Sequence, residues 1–475
     1  MLLPKSRSVE TARPLSSHPE LRVLAELSRF DLTGSTTAKI ALALFCFAYL
    51  LVVLEEKLHL RKSKPVVLAA GALWLLVSLA YSAHPDAASL PRDHMETRAL
   101  HHTGDYGQLF LFLMVAMTYI SAIASHNVFL KLNSILVSRG WGLRAVFWAT
   151  GTLAFWISPV ADNMTTALLM GTVVVAVGRG QPKFVSLACI NVVIAANAGG
   201  AFSPFGDITT LMVWQADKVH TMKFLTLLLP SLVNWLVPAA VMHFFVPNAK
   251  PEPVQQEAEL REGWLVVIAL FLCTIAISVT FHTVFHVPPY LGMTTGLGLY
   301  FLYGWRVSMR QRKLGSGQPL DVFDNVAAVE WDTMLFFFGV VMCVGALQEL
   351  GYLALVGHTL FDPELGVGPF WANVGIGVLS AVIDNVPVMF AVIGMDPKMD
   401  PIGGLHTQVS DYHWLLVTLT TGVGGSLLSV GSAAGVALMG IARGSYTFGS
   451  HLLWTPVITL GYVAAIGVHT LLNGA

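Results

Sequence analysis

Long apolar runs constrain this chain more than any other feature. Ile40–Leu54 and Leu109–Ile123 are two of them, and a bilayer core asks for roughly 20 apolar residues per crossing helix. Ten full spans are predicted. The first half gives 38–54, 66–82, 107–124, 184–216 and 223–246; the second gives 264–284, 288–305, 331–348, 413–441 and 452–472. Composition points the same way, because 12% of the 475 residues are charged, about half the share in a soluble protein. The formal net charge of −1 offers nothing to a phosphate backbone, so nucleic acid is not an expected partner. The lipid bilayer is, and the fold class is an all-α polytopic membrane protein. Cys46, Cys189, Cys273 and Cys343 each lie in an apolar run without a CxxC. They read as small buried hydrophobes rather than a disulfide frame or zinc site.

Two further apolar stretches, 143–178 and 367–395, are each interrupted by a polar tip. One tip runs from Ser158 to Thr166 through Pro159, Asp162 and Asn163; the other runs from Ser380 to Pro387 through Asp384 and Asn385. An Asp-Asn pair beside a proline leaves backbone groups unpaired, which lipid tolerates only where protein or a watery cavity satisfies them. Both stretches are expected to be re-entrant hairpins. The spans at 184–216 and 413–441 carry glycine and serine near their middles, at 197–207 and 422–432, with Pro204 in the first, and are expected to unwind there.

These features repeat. Asp162 and Ser158 lie 222 residues before Asp384 and Ser380, while Gly199, Gly200 and Gly206 lie 225 before Gly424, Gly425 and Gly431. Each half then reads as three spans, a hairpin and two spans. Five crossings are an odd number, so the second half starts on the opposite face. The expected organisation is a polar tail at 1–35, a first inverted repeat at 36–248, a linker at 249–263 and a second repeat at 264–475, with the site between the halves near the midplane.

Basic residues orient the chain. Lys57, Arg61, Lys62 and Lys64 form one group, residues flanking the first hairpin (Lys131, Arg139, Arg144, Arg179, Lys183) a second, and Arg306, Arg310, Arg312 and Lys313 a third. All three fall on one side, read as cytoplasmic, so the first hairpin opens from the cytoplasm, the second from outside, and the C-terminus lies outside. The N-terminal tail dissents: it carries Lys5, Arg7, Arg13, Arg22 and Arg29, yet ten spans place it outside. No apolar signal region follows Met1.

Asp162, Asp207 and Asp384 are the deep carboxylates. An acid at mid-membrane depth is costly and marks a functional site; the alternative is an acid paired structurally, but no Lys or Arg lies within the three motifs. Asn163, Asn385, Asn197, Ser158, Ser380, Ser429, Ser432, Thr165, Thr166, Thr209 and Thr210 add neutral oxygens. Oxygen donors with one or two carboxylates suit a hard monovalent cation, expected at Asp162, Asn163, Asp384 and Asn385.

The strings SPVADNMTTALLMG, NAGGAFSPFGDITTLMVW, SAVIDNVPVMFAVI and GVGGSLLSVGSAAGVALMG resemble the NhaD-type sodium/proton antiporters, as do EEKLHLRKSKPV at 55–66 and EWDTMLFFFGVVMCVGAL at 330–347. That family sits in the ion transporter superfamily with dicarboxylate and arsenite carriers. The match runs from about Asp31 to the C-terminus. It implies export of Na+ or Li+ against H+ influx, elevator-type alternating access, a homodimer in a bacterial inner membrane, no cofactor and no enzymatic activity. It assigns functional roles to Asp162, Asn163, Asn197, Asp207, Thr209, Ser380, Asp384, Asn385, Ser429 and Ser432. The chain departs from the family in its N-terminal segment and in a longer polar segment near 402–412.

Two other functions compete. An anion or oxyanion carrier of the same superfamily is disfavoured because acidic tips repel an anion. An intramembrane aspartyl protease would need a close carboxylate dyad sharing a proton, and would leave the duplication unexplained. Outside the motifs, His84, His94, His101 and His102 with Asp86, Asp93, Glu96 and Asp105 are expected in a solvated outer loop, metal binding or pH sensing being the alternative. Glu55 and Glu56 read as interfacial caps, Glu349 as a surface residue, and Trp141, Trp264 and Trp305 as interface anchors.

Overall fold

Ser35 opens the first helix: its hydroxyl accepts the Ala38 N–H at 3.1 Å, closing an N-terminus that would otherwise leave that donor unpaired. In chain order the first half contains α1 (Thr36–Val53), α2 (Glu55–Leu58), α3 (Ser63–Ser82), α4 (His94–Ser125), α5 (Val128–Ser138), α6 (Leu143–Ile157), α7 (Asn163–Val177), α8 (Pro182–Gly200), α9 (Ile208–Gln215), a 3₁₀ run at Thr221–Leu227 and α10 (Leu228–His243). The second half contains α11 (Trp264–Phe285), α12 (Pro289–Leu314), α13 (Val322–Ala327), α14 (Trp331–Glu349), α15 (Tyr352–Phe361), α16 (Pro369–Leu379) and α17 (Asn385–Met395). A two-residue antiparallel pair, β1 (Lys398–Met399) with β2 (Thr407–Gln408), precedes α18 (Asp411–Gly424), α19 (Ala433–Ile441), α20 (Phe448–Leu452) and α21 (Thr455–Asn473). This computed structural model describes residues 31–85, 91, 93–138, 140–250, 259–314, 321–362, 366–395, 398–399, 407–408 and 411–474. Most of the expected polar tail, residues 251–258 of the linker, Asp86, and 402–406 and 409–410 of the longer polar segment lie outside them.

Among the described residues, eight helices are long and apolar enough to cross a membrane: α1, α3, α4, α8, α10 with its 3₁₀ lead-in, α11, α14 and α21. Of the two other expected spans, 288–305 lies inside the 26-residue α12, whose glycines, tyrosines and basic end lower its hydropathy. The span 413–441 is divided into α18 and α19. Large apolar side chains point outward all around, with Leu68 78%, Leu453 80% and Leu471 82% exposed, as a lipid-facing surface requires.

Lipid removes the hydrophobic drive between helices, so small residues and close contact hold them. Ala38, Ala41 and Ala48 of α1, Ala69 and Ala70 of α3, and Cys343 and Ala346 of α14 form one packed cluster. At Gly339 of α14 a side chain would meet the Val66 Cγ2 at 2.6 Å, so α3 and α14 touch backbone to side chain. The second cluster centres on α8, buried throughout from Phe184 to Gly200 apart from a half-exposed Ser186. It is wrapped by α6, α7, α10, α18 and α19. Cys189 and Cys343 are buried as expected, but Cys46 and Cys273 are exposed.

The structure corrects two further expectations and adds two helices. The stretch 94–105 is the start of the 32-residue α4 rather than a solvated loop, and His94, Arg98 and His102 are buried on it. Glu349 is 4% exposed rather than on the surface. The Arg98 guanidinium meets it at 2.6 Å and the His102 Nε2 at 3.1 Å. A buried carboxylate must have such partners, and the extra turns of α4 bring them. Finally, α5 and α15 had no counterpart in the sequence reading; each links a third span of its half to the hairpin that follows.

Candidate functional site

Each polar tip ends one helix and starts another. Helix α6 stops at Ile157 and α7 begins at Asn163; α16 stops at Leu379 and α17 begins at Asn385. Asp162 caps α7, its carboxylate accepting the Thr165 N–H at 2.9 Å. The crossing segments break opposite these tips, α8 giving way to α9 across 201–207 and α18 to α19 across 425–432. Asp207 caps α9 by accepting the Thr209 N–H at 3.0 Å. Two helix N-termini therefore point at carboxylates, where the helix dipole favours negative charge.

Tip and break are in backbone contact. A side chain at Gly206 would lie 2.7 Å from the Gly200 Cα and 2.8 Å from the Pro159 Cα and the Ser158 carbonyl. One at Gly431 would lie 2.5 Å from the Ser380 carbonyl. Only glycine fits, because the opposing atoms are main chain and cannot swing aside. The hydrogen bonds match as well: the Ser158 hydroxyl donates to the Ala196 carbonyl at 2.6 Å, the Ser380 hydroxyl to the Thr421 carbonyl at 3.0 Å. Donors 222 residues apart thus reach acceptors 225 apart, the offsets of the sequence repeat. Gly431→Ala is expected to abolish exchange or folded carrier, while Gly440→Ala, in open space, changes neither; transport with a fluorescent abundance readout checks both.

The two halves meet through asparagines. The Asn197 amide donates to the Ser426 hydroxyl at 2.8 Å and to Ser432 at 2.9 Å. Asn163 donates to the Asn197 carbonyl oxygen at 3.1 Å and to Asp207 at 3.3 Å. In front lies a cavity of about 310 Å³ lined by Asp162, Asn163, Asp207, Asp384 and Asn385. Thr165 lines it as well, and the other candidate residues stand behind it. Ser158 and Ser380 hold the tips, and Ser380 also donates to Asn385 at 2.5 Å. Thr166 bonds the Ala161 carbonyl; Asn197 and Ser432 join the halves; Thr209 and Ser429 are buried without lining the cavity.

Two cavity residues were missed. Glu330 stands at the rim. Lys62 reaches Asp384 at 3.1 Å, so one deep acid has a basic partner from outside the motifs. Burial works against the Lys62 charge, but Asp384 opposite it, with Glu55 and Asp332 further off, holds its pKa above that of an ordinary lysine. Both residues lie in the strings 55–66 and 330–347, which carried the resemblance but no role. The histidines do not gather: among the described residues no three His, Cys, Asp or Glu side chains form a metal-holding group.

The family described as "Citrate transporter" matches residues 49–422. The chain is 52% identical to the Na+/H+ antiporter NhaD of Vibrio cholerae over 463 residues, 93% of each chain. It is 51% identical to the Na+/H+ antiporter NhaD of Halomonas elongata over 482 residues, 97% of this chain and 94% of that one. To sodium/proton antiporter 2 of Arabidopsis thaliana it is 30% identical over 416 residues, covering 84% and 91%.

Proposed function

The chain belongs to the NhaD family of sodium/proton antiporters, within the wider citrate-transporter family, and from that premise we propose that it exports Na+ or Li+ in exchange for H+. It is a transporter and not an enzyme, an integral multi-pass membrane protein. The observation that carries the proposal is the convergence of Asp162, Asp207 and Asp384 on one cavity. Three carboxylates facing one Lys62 favour a cation and repel a carboxylate or oxyanion, which disfavours an anion carrier despite the wider family's description. Asp162, Asn163, Asp384 and Asn385 hold the cation, Asp207 is a further proton acceptor, and Asn197, Ser432, Ser158, Ser380, Thr166, Thr209 and Ser429 fix the frame around them.

The two halves, 36–248 and 264–475, form an inverted repeat around this site, a reading supported by the matched Ser158 and Ser380 bonds and by the Gly206 and Gly431 contacts. The hairpins and broken helices move as the carrying part against α1, α3 and α14, in an elevator-type alternation; the close contact of α3 with α14 at Val66 and Gly339 supports treating those helices as one frame. Loop residues Lys62, Ala328 and Glu330 line the cavity, and the basic residues near them support a cytoplasmic side for those loops and with it an inward-facing cavity. The carrier works as a homodimer in the bacterial inner membrane with its C-terminus outside.

Everted membrane vesicles test the function. Na+ and Li+ are expected to collapse a pre-formed proton gradient, while succinate and arsenite leave it intact; transport of either anion with no response to Na+ would overturn the reading. The proton and Na+ compete for one carboxylate, and each disfavours the other equally. While that carboxylate is mostly protonated, the apparent KM for Na+ is expected to rise about tenfold for each unit the pH falls, and to level off in alkali. A KM flat with pH alongside a falling maximal rate would place the pH response elsewhere.

A further inference from the structure

Among the three deep carboxylates, Asp384 differs in how its charge is met. Asp162 and Asp207 accept the amides of their own helices, whereas Asp384 faces the ammonium of Lys62 at 3.1 Å. The two side chains are 21% and 24% exposed and both line the cavity. The pair joins residues 322 positions apart.

Lys62 has a rigid root. It stands at the start of α3, where the next residue, Ser63, donates its hydroxyl to Asp332 of α14 at 2.5 Å. One turn on, Val66 seats against Gly339 of the same helix. The Lys62 ammonium also lies 4.6 Å from the Phe336 ring centre, an arrangement that attracts a cation to the ring face. The lysine is thus fixed to the α3–α14 pair while its ammonium reaches across to the hairpin tip. A unit positive charge within hydrogen-bond reach of a carboxylate stands where a monovalent cation on that carboxylate would stand, and two such charges there repel each other.

We propose that Lys62 is a tethered competitor of the transported cation: its ammonium occupies Asp384 in the cation-free carrier, and Na+ binds by displacing it. This rests on the reading of Asp384 as a cation ligand. The competition lowers the affinity for Na+, since the ion must exchange with a partner already in place, and it returns a counter-charge to Asp384 when the ion leaves. The ion pair also links the hairpin to the α3–α14 frame only while the site is empty.

The test measures Na+-dependent proton flux in everted vesicles at fixed alkaline pH, with full Na+ titrations. Lys62→Met keeps the stem and removes the charge. Its apparent KM for Na+ is expected to fall by at least about fivefold, the lower end of ordinary coupling between sites. Lys62→Arg keeps the charge and is expected to stay within about twofold of the parent KM, well under that coupling. Because KM does not depend on how much carrier reaches the membrane, reduced folding changes the maximal rate and leaves the readout intact. A lysine that merely braces the fold would also move the maximal rate alone. A KM unchanged or raised in Lys62→Met, or lowered as much in Lys62→Arg, overturns the proposal. Asp384→Asn separates the two levels. If it retains exchange, the reading of Asp384 as a ligand falls. If it loses exchange while Lys62→Met leaves KM unchanged, only the competitor role falls.

Discussion

Asp162→Asn and Asp384→Asn, made singly, are expected to cut Na+-driven proton flux by at least about 100-fold. An asparagine keeps the size and one oxygen of the aspartate but neither balances Na+ nor releases a proton. The cation then enters the cavity without its carboxylate, a loss of about 3–5 kcal/mol for an uncompensated buried charge, and each 1.36 kcal/mol is a factor of ten. The two variants also differ in what they leave behind. Asp162 receives the Thr165 amide, an interaction that the asparagine oxygen retains, so α7 stays capped and the carrier stays folded. Asp384→Asn leaves Lys62 facing a neutral amide. Vesicle transport normalised to carrier abundance measures both. Near-parental flux in either variant, at normal abundance, would remove that residue from the site.

Arg98→Met is expected to destabilise the protein by about 3–5 kcal/mol, because it strips the guanidinium from a buried carboxylate. The Arg98 Nε donates to both Glu349 oxygens at 2.8 Å, and Glu349 is 4% exposed. His102 remains, but one imidazole hydrogen bond does not replace a fork of donors. Replacing both partners, Arg98→Met with Glu349→Leu, is expected to recover most of the loss, since a buried ion pair exchanged for packed apolar groups is often neutral. Thermal unfolding in detergent, followed by loss of the monodisperse peak, measures the series. A single variant that unfolds with the parent, or a double variant no better than the single, would contradict this account.

The candidate site was readable in the chain where its cost is local. Asp162 and Asp384 stand out because an acid interrupting an apolar run has no cheap explanation. The breaks at 201–207 and 425–432 stand out because clustered Gly and Ser, with Pro204 in the first, weaken a helix in mid-span. What the one-dimensional pattern hides is partnership. Lys62 looked like one more cytoplasmic basic residue obeying the charge rule, although its ammonium rests on Asp384. Nor does the pattern show that the hydroxyls of Ser158, Ser380 and Thr166 bond main-chain carbonyls that hold the tips.

The fold divides along the same line. Apolar runs of bilayer length, the polar interruptions and the repeat offset follow from the sequence alone, because the cost of placing a polar group in lipid is paid residue by residue. The tertiary structure alone decided that α4 begins at His94, that Glu349 is buried, and that Asn197 reaches Ser426 and Ser432 across the two halves. The 94–105 stretch and Glu349 are too polar to look buried in isolation. They become so only together, when Arg98 and Glu349, 251 positions apart, satisfy each other inside packed helices, and no window along the chain contains both.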